Sequence, residues 1–283
     1  MSQKIGIVDV GGGLRGIYAA GIFDYFLDNH ITFDLGIGVS AGSANLASFI
    51  AKQPRRNLTF FAEYAMRKEY VGWGNFFRKK SFIDLDYVYS TLCNADGEYP
   101  LDYQAMTENP MELYVVASDA NTGEPKYFTK KDLSQDCYDI FKASCAIPFV
   151  CQPYFIQGTP YYDGALADPV PLKKAFELGC NKVVLILTLP KSTLRSASKD
   201  KMLANRIRNH YPLSAERLEQ RYAHYNDSVA LAKEYEKEGK LLIIAPDDTC
   251  GVDTLSRDPK ALRRLYTKGY CDAALVQSFL ATT

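Results

Sequence analysis

Short apolar runs alternate with segments of helical periodicity along the whole chain. The runs that predict buried strands are Lys4–Val10, Asp34–Ser43, Met111–Asp119, Lys182–Leu189 and Lys240–Ala245. Between them, apolar residues recur at helical spacing, and the closing segment, residues 261–280, is amphipathic. This alternation of strands with helices predicts an α/β fold, a three-layer α/β/α domain with a mostly parallel central sheet.

The remaining segments predict shorter elements. Residues 55–69 and 136–146 have helical spacing, residues 154–162 predict a hairpin across Gly158, and residues 190–236 predict charged helices. Residues 70–82 combine the only tryptophan with three phenylalanines and three consecutive basic residues, and their glycines argue against regular structure. We interpret this segment as an aromatic loop packed on the core. A mobile flap over an acyl pocket, or a surface that touches lipid head groups, is the second hypothesis.

The composition is that of an ordinary globular protein. The 283 residues include 33 basic and 33 acidic side chains, so no bulk charge attracts nucleic acid. Seven cysteines lie at scattered positions without a C-x-x-C pair, as expected of free thiols in a reducing compartment. The apolar run near the start is too short for a signal-peptide core, and no later run is long enough to span a membrane. The sequence therefore predicts a soluble, cytoplasmic protein.

The second strand-like run ends in a pattern that predicts a reactive serine. It closes with Gly38-Val39-Ser40-Ala41-Gly42, and helical spacing begins at Ala41. A strand, a sharp turn and a helix form a nucleophile elbow, in which Gly38 and Gly42 let neighbouring chain pass beside Ser40. The first N–H groups of the helix would stabilise negative charge there. G-x-S-x-G also occurs by chance in many chains, so its weight depends on its context.

A glycine loop at residues 11–16 follows the first strand, and two functional hypotheses compete for it. Its spacing fits the dinucleotide fingerprint G-x-G-x-x-G. Against this, the next strand does not end in the acidic residue that would bind a ribose. We therefore favour an oxyanion hole beside Ser40, with the Ala41 N–H as a further donor. The predicted loop donors are the N–H groups of Gly11, Gly12 and Gly13.

The predicted hairpin is followed directly by Asp163-Gly164-Ala165. An acidic residue at a strand end faces the crevice in which open α/β sheets bind ligands, although Asp-Gly alone indicates only a turn. His210 or His224 would complete a triad in α/β-hydrolase order. Both lie in charged helical sequence, where a solvated imidazole is the expected state.

Together with Ala143-Ser144-Cys145-Ala146-Ile147-Pro148, these motifs resemble the patatin-like phospholipase family. That family has a glycine-rich loop with a basic residue, then G-x-S-x-G, A-S-x-A-x-P and D-G-G or D-G-A, in the order seen here. The likeness covers about residues 5–190, with Val10 and Ala165 as small departures. We accordingly expect a catalytic core over residues 1–190 and a C-terminal helical and strand extension over residues 191–283, packed on the same domain.

The resemblance implies a serine hydrolase of the phospholipase A or lysophospholipase type, which cleaves carboxylic esters of lipids with a Ser-Asp dyad. Ser40 would be the nucleophile, Asp163 the general base, and Arg15, beside the oxyanion loop, would fix that loop or add positive potential. Gly164 follows the base as in the family motif. The implied partner is a lipid or ester substrate, reached by transient contact with a membrane surface. No metal or organic cofactor and no nucleic acid is implied.

Two alternatives stay open at this point. A Ser-His-Asp esterase would use one of the later histidines, and a non-catalytic lipid-binding or regulatory protein would keep the fold without the reaction. The dyad also sets a physical condition. An aspartate with an ordinary pKa of about 3.9 is a weak base toward a serine hydroxyl. We therefore expect burial to raise the pKa of Asp163.

Overall fold

The computed structural model describes residues 3–281, apart from the side chain at position 199. In this range eight strands form one sheet in the order β5-β6-β3-β2-β1-β7-β8, with β4 paired to β3. Strands β3, β2, β1, β7 and β8 run parallel, and β4, β5 and β6 are antiparallel to their neighbours. The bounds are β1 Ile5–Asp9, β2 Leu35–Val39, β3 Glu112–Asp119, β4 Pro125–Thr129, β5 Tyr154–Ile156, β6 Thr159–Asp163, β7 Lys182–Ile186 and β8 Leu241–Ile244.

Helices cover both faces of the sheet. The bounds are α1 Ile17–Asp28, α2 Ala41–Ile50, α3 Arg56–Ala62, α4 Trp73–Lys79, α5 Tyr103–Glu108, α6 Asp139–Ser144, α7 Leu172–Glu177, α8 Ser198–Ile207, α9 Pro212–Lys237, α10 Pro259–Asp272 and α11 Leu275–Ala281. Neighbouring residues of β1 show the two faces, because Ile7 packs in the core with α1, α2 and α10 whereas Val8 packs in the core with α7 and α9. The predicted three-layer fold with a mostly parallel sheet is confirmed. No helix among the described residues combines the length and apolar character needed to cross a membrane.

Several predicted elements differ in detail. The closing segment is two helices, since α10 ends at Asp272 and α11 begins at Leu275. Helix α6 begins at Asp139, because Asp136 has a φ of 63° and cannot continue a right-handed helix. Residues 70–82 were expected to lack regular structure, which is wrong: they contain α4. A bridge between Val71 and Ile83 closes the base of this segment.

Pairing along β3 brings two distant strand ends together. Val39 of β2 is paired with Val116, and Asp163 of β6 is paired with the next residue, Ala117. Since β4 pairs with Ala117 from the other side, β2 and β6 share one edge of β3 and meet end to end. The residue after Val39 therefore lies next to Asp163.

Candidate active site

Ser40 occupies a strained turn between β2 and α2. Its backbone has φ 55° and ψ −131°, a conformation that non-glycine residues rarely adopt. The turn is tight on both sides, because an added Cβ on Gly38 would lie 2.4 Å from Ser43 Cα and one on Gly42 would lie 2.3 Å from the Asp9 carbonyl oxygen. Ser43 Oγ also donates to the Ser40 carbonyl at 2.6 Å. This is the geometry of the predicted nucleophile elbow.

Asp163 and Ser40 meet in a nearly closed site. Their exposed fractions are 4% and 5%, and the Ser40 side chain lies close enough to the Asp163 carboxylate to favour its charged form. The Ala165 N–H donates to Asp163 Oδ1 at 2.9 Å, and the 3-10 turn Gly164–Leu166 begins immediately after the aspartate. Burial raises the pKa of Asp163, while the contacts with Ser40 and Ala165 oppose that rise. A carboxylate in this state is a better base than an exposed one.

The glycine loop adopts backbone angles that favour glycine. Gly11, Gly12 and Gly13 have φ values of 64°, 123° and 60°. The Gly11 N–H donates to Asp9 Oδ1 at 2.9 Å, so this predicted donor is already used within the protein. The Ala41 N–H is the first of α2 and has no acceptor within that helix. Among the predicted donors, the N–H groups of Gly12, Gly13 and Ala41 therefore remain candidates, and Gly11 shapes the loop.

Asp9 supports the candidate site and is not among the residues that the sequence indicated. It ends β1 with no measurable exposure, and its carboxylate accepts from Gly11 N–H and, at 3.0 Å, from Asn45 Nδ2 of α2. Asn45 also donates to the Gly16 carbonyl at 3.0 Å. Burial raises the pKa of Asp9 to about 6. Asp9 and Asn45 thus tie the glycine loop to the helix that carries Ser40. The available signal was an acidic residue inside an apolar strand.

Ser144, the serine of the A-S-x-A-x-P motif, is hydrogen-bonded to the backbone of the elbow. The Ser40 N–H donates to Ser144 Oγ at 2.9 Å, and Ser144 Oγ donates to the Val116 carbonyl of β3 at 2.6 Å. Nearby, the Asp163 N–H donates to the Ala146 carbonyl at 2.9 Å. The sequence indicated no role for this motif beyond its resemblance to the family pattern. Its role is to join both candidate catalytic residues to β3 and α6.

The C-terminal part of the chain reaches the glycine loop. The Leu14 N–H donates to the Thr254 carbonyl at 3.0 Å, and Arg15 Nη1 donates to Thr254 Oγ1 at 2.9 Å. Burial lowers the pKa of Arg15, and its Nε has no hydrogen-bond partner. Arg15 is therefore bonded to residue 254 beside the loop, and nothing in the sequence pattern identified Thr254.

Two further guanidinium groups lie near Arg15. The Arg195 guanidinium stacks 3.7 Å from the ring centre of Tyr225, and burial lowers the pKa of Arg195 to about 10, so the group stays charged at neutral pH. Arg221 lies one helical turn before Tyr225 on α9 and is paired with the buried Asp200. The charges of Arg221 and Arg195 also act on the Asp163 carboxylate. The segment around residues 190–236 thus supplies positive potential to the site.

An elongated apolar cavity opens beside Ser40. Ser40, Ala41 and Gly13 lie at the catalytic end, together with Thr254 and Leu255 from the C-terminal part. The rest of the lining is mostly aliphatic and aromatic, with residues such as Ala44, Ala47, Phe61, Leu85, Val88 and Phe141. An acyl chain is the ligand that such a lining favours.

Neither histidine considered for a triad is joined to the dyad. His210 is exposed, and His224 lies near Asp168. Cys145 does lie beside Ser40, but burial raises the pKa of its thiol, which keeps it protonated and poorly nucleophilic. Among residues 3–281, no group of His, Cys, Asp and Glu side chains has the arrangement of a metal site.

Comparisons with known proteins agree with this geometry. The model of the patatin-like phospholipase family matches residues 10–176, and that of a domain of unknown function (DUF6363) matches residues 211–276. YjjU, an uncharacterized protein of Escherichia coli (strain K12), is 32% identical over 192 residues, which make up 66% of this chain and 52% of YjjU. The chain thus matches about half the length of that relative. The crystal structure of VipD from Legionella pneumophila has a TM-score of 0.50 and 14% identity, covers 98% of this chain and 67% of VipD, and therefore supports the fold alone.

Proposed function

Because this chain belongs to the patatin-like phospholipase family, we propose that it is a lipid acyl hydrolase in which Ser40 and Asp163 form a catalytic dyad. The observation that carries the proposal is the position of Ser40, at the end of β2, beside Asp163, a buried carboxylate of raised pKa at the end of β6. Burial favours the protonated form of Asp163, so the carboxylate accepts the serine proton more readily than an exposed aspartate does.

The reaction divides into two acyl transfers. Asp163 takes the proton of Ser40 as Oγ attacks the ester carbonyl, and the resulting oxyanion accepts hydrogen bonds from the loop and α2 donors Gly12, Gly13 and Ala41. The alcohol leaves with the proton from Asp163, and the acyl group stays on Ser40. Asp163 then takes a proton from water, whose oxygen attacks the acyl-enzyme. The carboxylic acid is released and Ser40 regains its proton.

The surroundings of the dyad favour a lipid with an anionic head group. The apolar cavity accepts the acyl chain. Arg15, Arg195 and Arg221 add three positive charges near the dyad. Among the described residues, Arg221 pairs with the buried Asp200, whereas neither Arg15 nor Arg195 forms an ion pair. Guanidinium groups bind phosphate well. We therefore propose phospholipids or lysophospholipids as substrates ahead of neutral acylglycerols.

Helix α4 provides a surface for transient membrane contact. Trp73 and Phe77 lie one turn apart on α4 and are 68% and 73% exposed, and Arg78, Lys79 and Lys80 follow at its end. Exposed aromatic rings beside basic residues are typical of contact with a lipid interface. Val71 and Ile83, which pair on either side of the segment that contains α4, both line the cavity. A lipid taken up beside α4 would thus enter close to the acyl cavity.

Two further expectations remain proposals. The division into a catalytic core over residues 1–190 and an extension over residues 191–283 fits the pairing of β8 with β7 in one sheet, while Thr254 of the extension reaches the site. A cytoplasmic location is supported by the seven cysteines, all of which are free thiols.

Labelling with a fluorophosphonate probe tests the dyad without a known substrate. The phosphorus of the probe resembles the tetrahedral acyl centre, so it reacts with an activated serine. We expect labelling of the wild type that is absent in Ser40→Ala, falls strongly in Asp163→Asn and is unchanged in His224→Ala. Full labelling of Asp163→Asn together with loss in His224→Ala would refute the dyad and favour the triad. A folded wild type that is not labelled would favour the non-catalytic alternative.

A further inference from the structure

Arg56, the first residue of α3, is a buried cation without a counter-ion. It is 4% exposed, and its guanidinium donates to Ser48 Oγ at 3.1 Å, to Cys93 Sγ at 3.0 Å and to the Tyr99 carbonyl at 3.0 Å. Its Nε has no hydrogen-bond partner. Burial raises the pKa of the Cys93 thiol, so this partner is neutral as well. Within the described chain, Arg56 makes no ion pair with a carboxylate.

Other buried charged side chains differ in how they are compensated. Asp9 accepts hydrogen bonds from the Gly11 N–H and from Asn45, and two further groups form ion pairs. Lys142 lies 3.1 Å from Asp139, and Asp200 is paired with Arg221.

An unpaired buried charge is costly, because the protein interior does not replace the water that solvates an ion. The Arg56 guanidinium lies 4.5 Å from the ring centre of Phe60 and 5.5 Å from that of Tyr99, and such contacts stabilise a cation without neutralising it. Arg56 therefore keeps a positive charge and an unbonded Nε–H, which an anionic ligand would satisfy.

The position of Arg56 identifies which ligand can reach it. Arg56 and Ser40 line the same cavity. The Arg56 guanidinium bonds to Ser48 of α2, which follows Ser40 by eight residues and so lies about 12 Å farther along the helix axis. The lining of this cavity is mostly apolar. An acyl chain attached to Ser40 would run along α2 toward Arg56.

We propose that the far end of the acyl cavity binds an anionic group, so that the preferred acyl chain carries a carboxylate at the end opposite to the ester. The inference rests on the proposed function, since Ser40 must accept the ester end. A chain ending in a methyl group leaves the Arg56 charge unpaired, whereas a carboxylate supplies an ion pair and an acceptor. The apolar walls hold the methylene groups in either case, so the end group decides the selectivity.

A matched series of 4-nitrophenyl esters tests this selectivity in the intact protein. Monoesters of straight-chain dicarboxylic acids are compared with esters of monocarboxylic acids of equal carbon number, from short to long chains. We expect the ratio of kcat/KM between the two series to peak at one chain length, with a preference of about tenfold for the ω-carboxylate. A ratio at or below one at every chain length would overturn the inference.

Variants assign the preference to Arg56. In Arg56→Gln the ratio should fall to about one while the monocarboxylic esters are still hydrolysed, and Arg56→Lys should retain part of the preference because it keeps the charge. Arg55→Gln is the matched control, since the neighbouring Arg55 pairs with Asp24 and Asp28 and is not part of the cavity lining. A preference that persists in Arg56→Gln would place its origin elsewhere and contradict the inference. If Arg56→Gln fails to fold, the wild-type ratio still decides.

Binding separates this inference from the proposed function. Ser40→Ala lacks the nucleophile, so calorimetric titration of this variant measures end-group recognition without catalysis. The ligands are monomethyl esters of the dicarboxylic acids and methyl esters of the monocarboxylic acids, at the peak chain length or over a chain-length series where no ester is cleaved. If the wild type hydrolyses no ester but Ser40→Ala binds the dicarboxylic compound more tightly, the dyad is refuted and the Arg56 site is supported. Hydrolysis without any such difference in binding or turnover would support the dyad and refute the Arg56 site.

Discussion

The region over residues 10–176 and the region over residues 211–276 contribute to one site in different ways. The first supplies both dyad candidates and the oxyanion donors, each fixed by backbone geometry at a strand end or a helix start. The second supplies Thr254 and Arg221, which reach the glycine loop and the carboxylate from outside. The comparison indicates that the candidate reacting groups are positioned by the sheet. The extension contributes positive charge and a contact that positions the glycine loop. Loss of a dyad candidate or of its supports should therefore act mainly on kcat, and loss of a charge in the extension mainly on KM for charged substrates.

Asp163→Asn should have the largest effect on kcat, because it removes the proposed general base of the first region. Loss of the general base should lower kcat by about 10²–10⁴-fold, because an amide cannot take the Ser40 proton. The fold should persist, since the Ala165 N–H can still donate to the amide oxygen. Steady-state ester hydrolysis and thermal unfolding measure the two effects. A kcat within a few-fold of the wild type would move the base to another residue and end the assignment of the chemistry to the first region.

The pH profile tests the same carboxylate without a substitution. Burial raises the pKa of Asp163, and only the deprotonated form can act as base. Activity should therefore fall as the pH is lowered, about tenfold per pH unit below an apparent pKa higher than the ordinary value of about 3.9. Buried Asp9, with a pKa of about 6, would add a second loss in the same direction as its bond to the Gly11 N–H weakens. An acid limb at or below the ordinary aspartate value would contradict this account.

Ser144→Ala compares support inside the first region with a matched serine in the extension. Removing the hydroxyl leaves the buried Ser40 N–H without its acceptor, which should lower stability by about 1–3 kcal/mol and kcat by about tenfold as the elbow relaxes. Ser214→Ala is the control, because Ser214 is equally buried and donates to the Ala120 carbonyl. Chemical denaturation should give similar losses for both, with kcat reduced only in Ser144→Ala. Equal kcat values in the two variants would show that the elbow does not depend on Ser144.

The same contrast explains which parts of the site could be predicted from the sequence. The elbow around Ser40 depends on local requirements, namely a strand, small residues and a helix start, and these can be identified within ten consecutive residues. Its supports are not local. Ser144 lies 104 residues from Ser40, and Thr254 lies 239 residues from Arg15. Serine and threonine are common, and nothing in their spacing indicates a partner across the fold.

The predicted helix boundaries were wrong for a related reason. Asp136 and Arg55 fall in segments of helical periodicity, yet both have positive φ. Apolar periodicity reports which side chains face the core and is insensitive to a single residue that turns the backbone. Conversely, Gly74 lies inside α4 although glycine argues against a helix, because buried Asn75 holds this segment through its bond to the Glu69 carbonyl. Tertiary contacts override local propensity at both places.

Arg195→Met tests whether the extension acts on the head group. Methionine keeps the packing on Tyr225 but removes the charge, so KM for a phospholipid should rise about fivefold while that for a neutral ester stays unchanged. Arg208→Met is the control, since Arg208 pairs with Glu219 at the surface. Kinetics on the two substrate classes provide the measurement. An equal change for both classes would mean that Arg195 maintains the structure rather than selecting the head group.

Thr254→Val should have the smallest effect and is the most direct test of the division of roles. Valine removes the acceptor of Arg15 Nη1 but leaves the backbone carbonyl that accepts the Leu14 N–H. Because the loop keeps that bond, kcat should fall only about two- to threefold, with a stability loss of about 1 kcal/mol. Thr267→Val, on the exposed face of α10, is the matched control and should change neither. If Thr254→Val instead lowered kcat as far as Asp163→Asn does, the extension would be part of the oxyanion machinery, because the loop could hold its donors in place only with Arg15 anchored to residue 254.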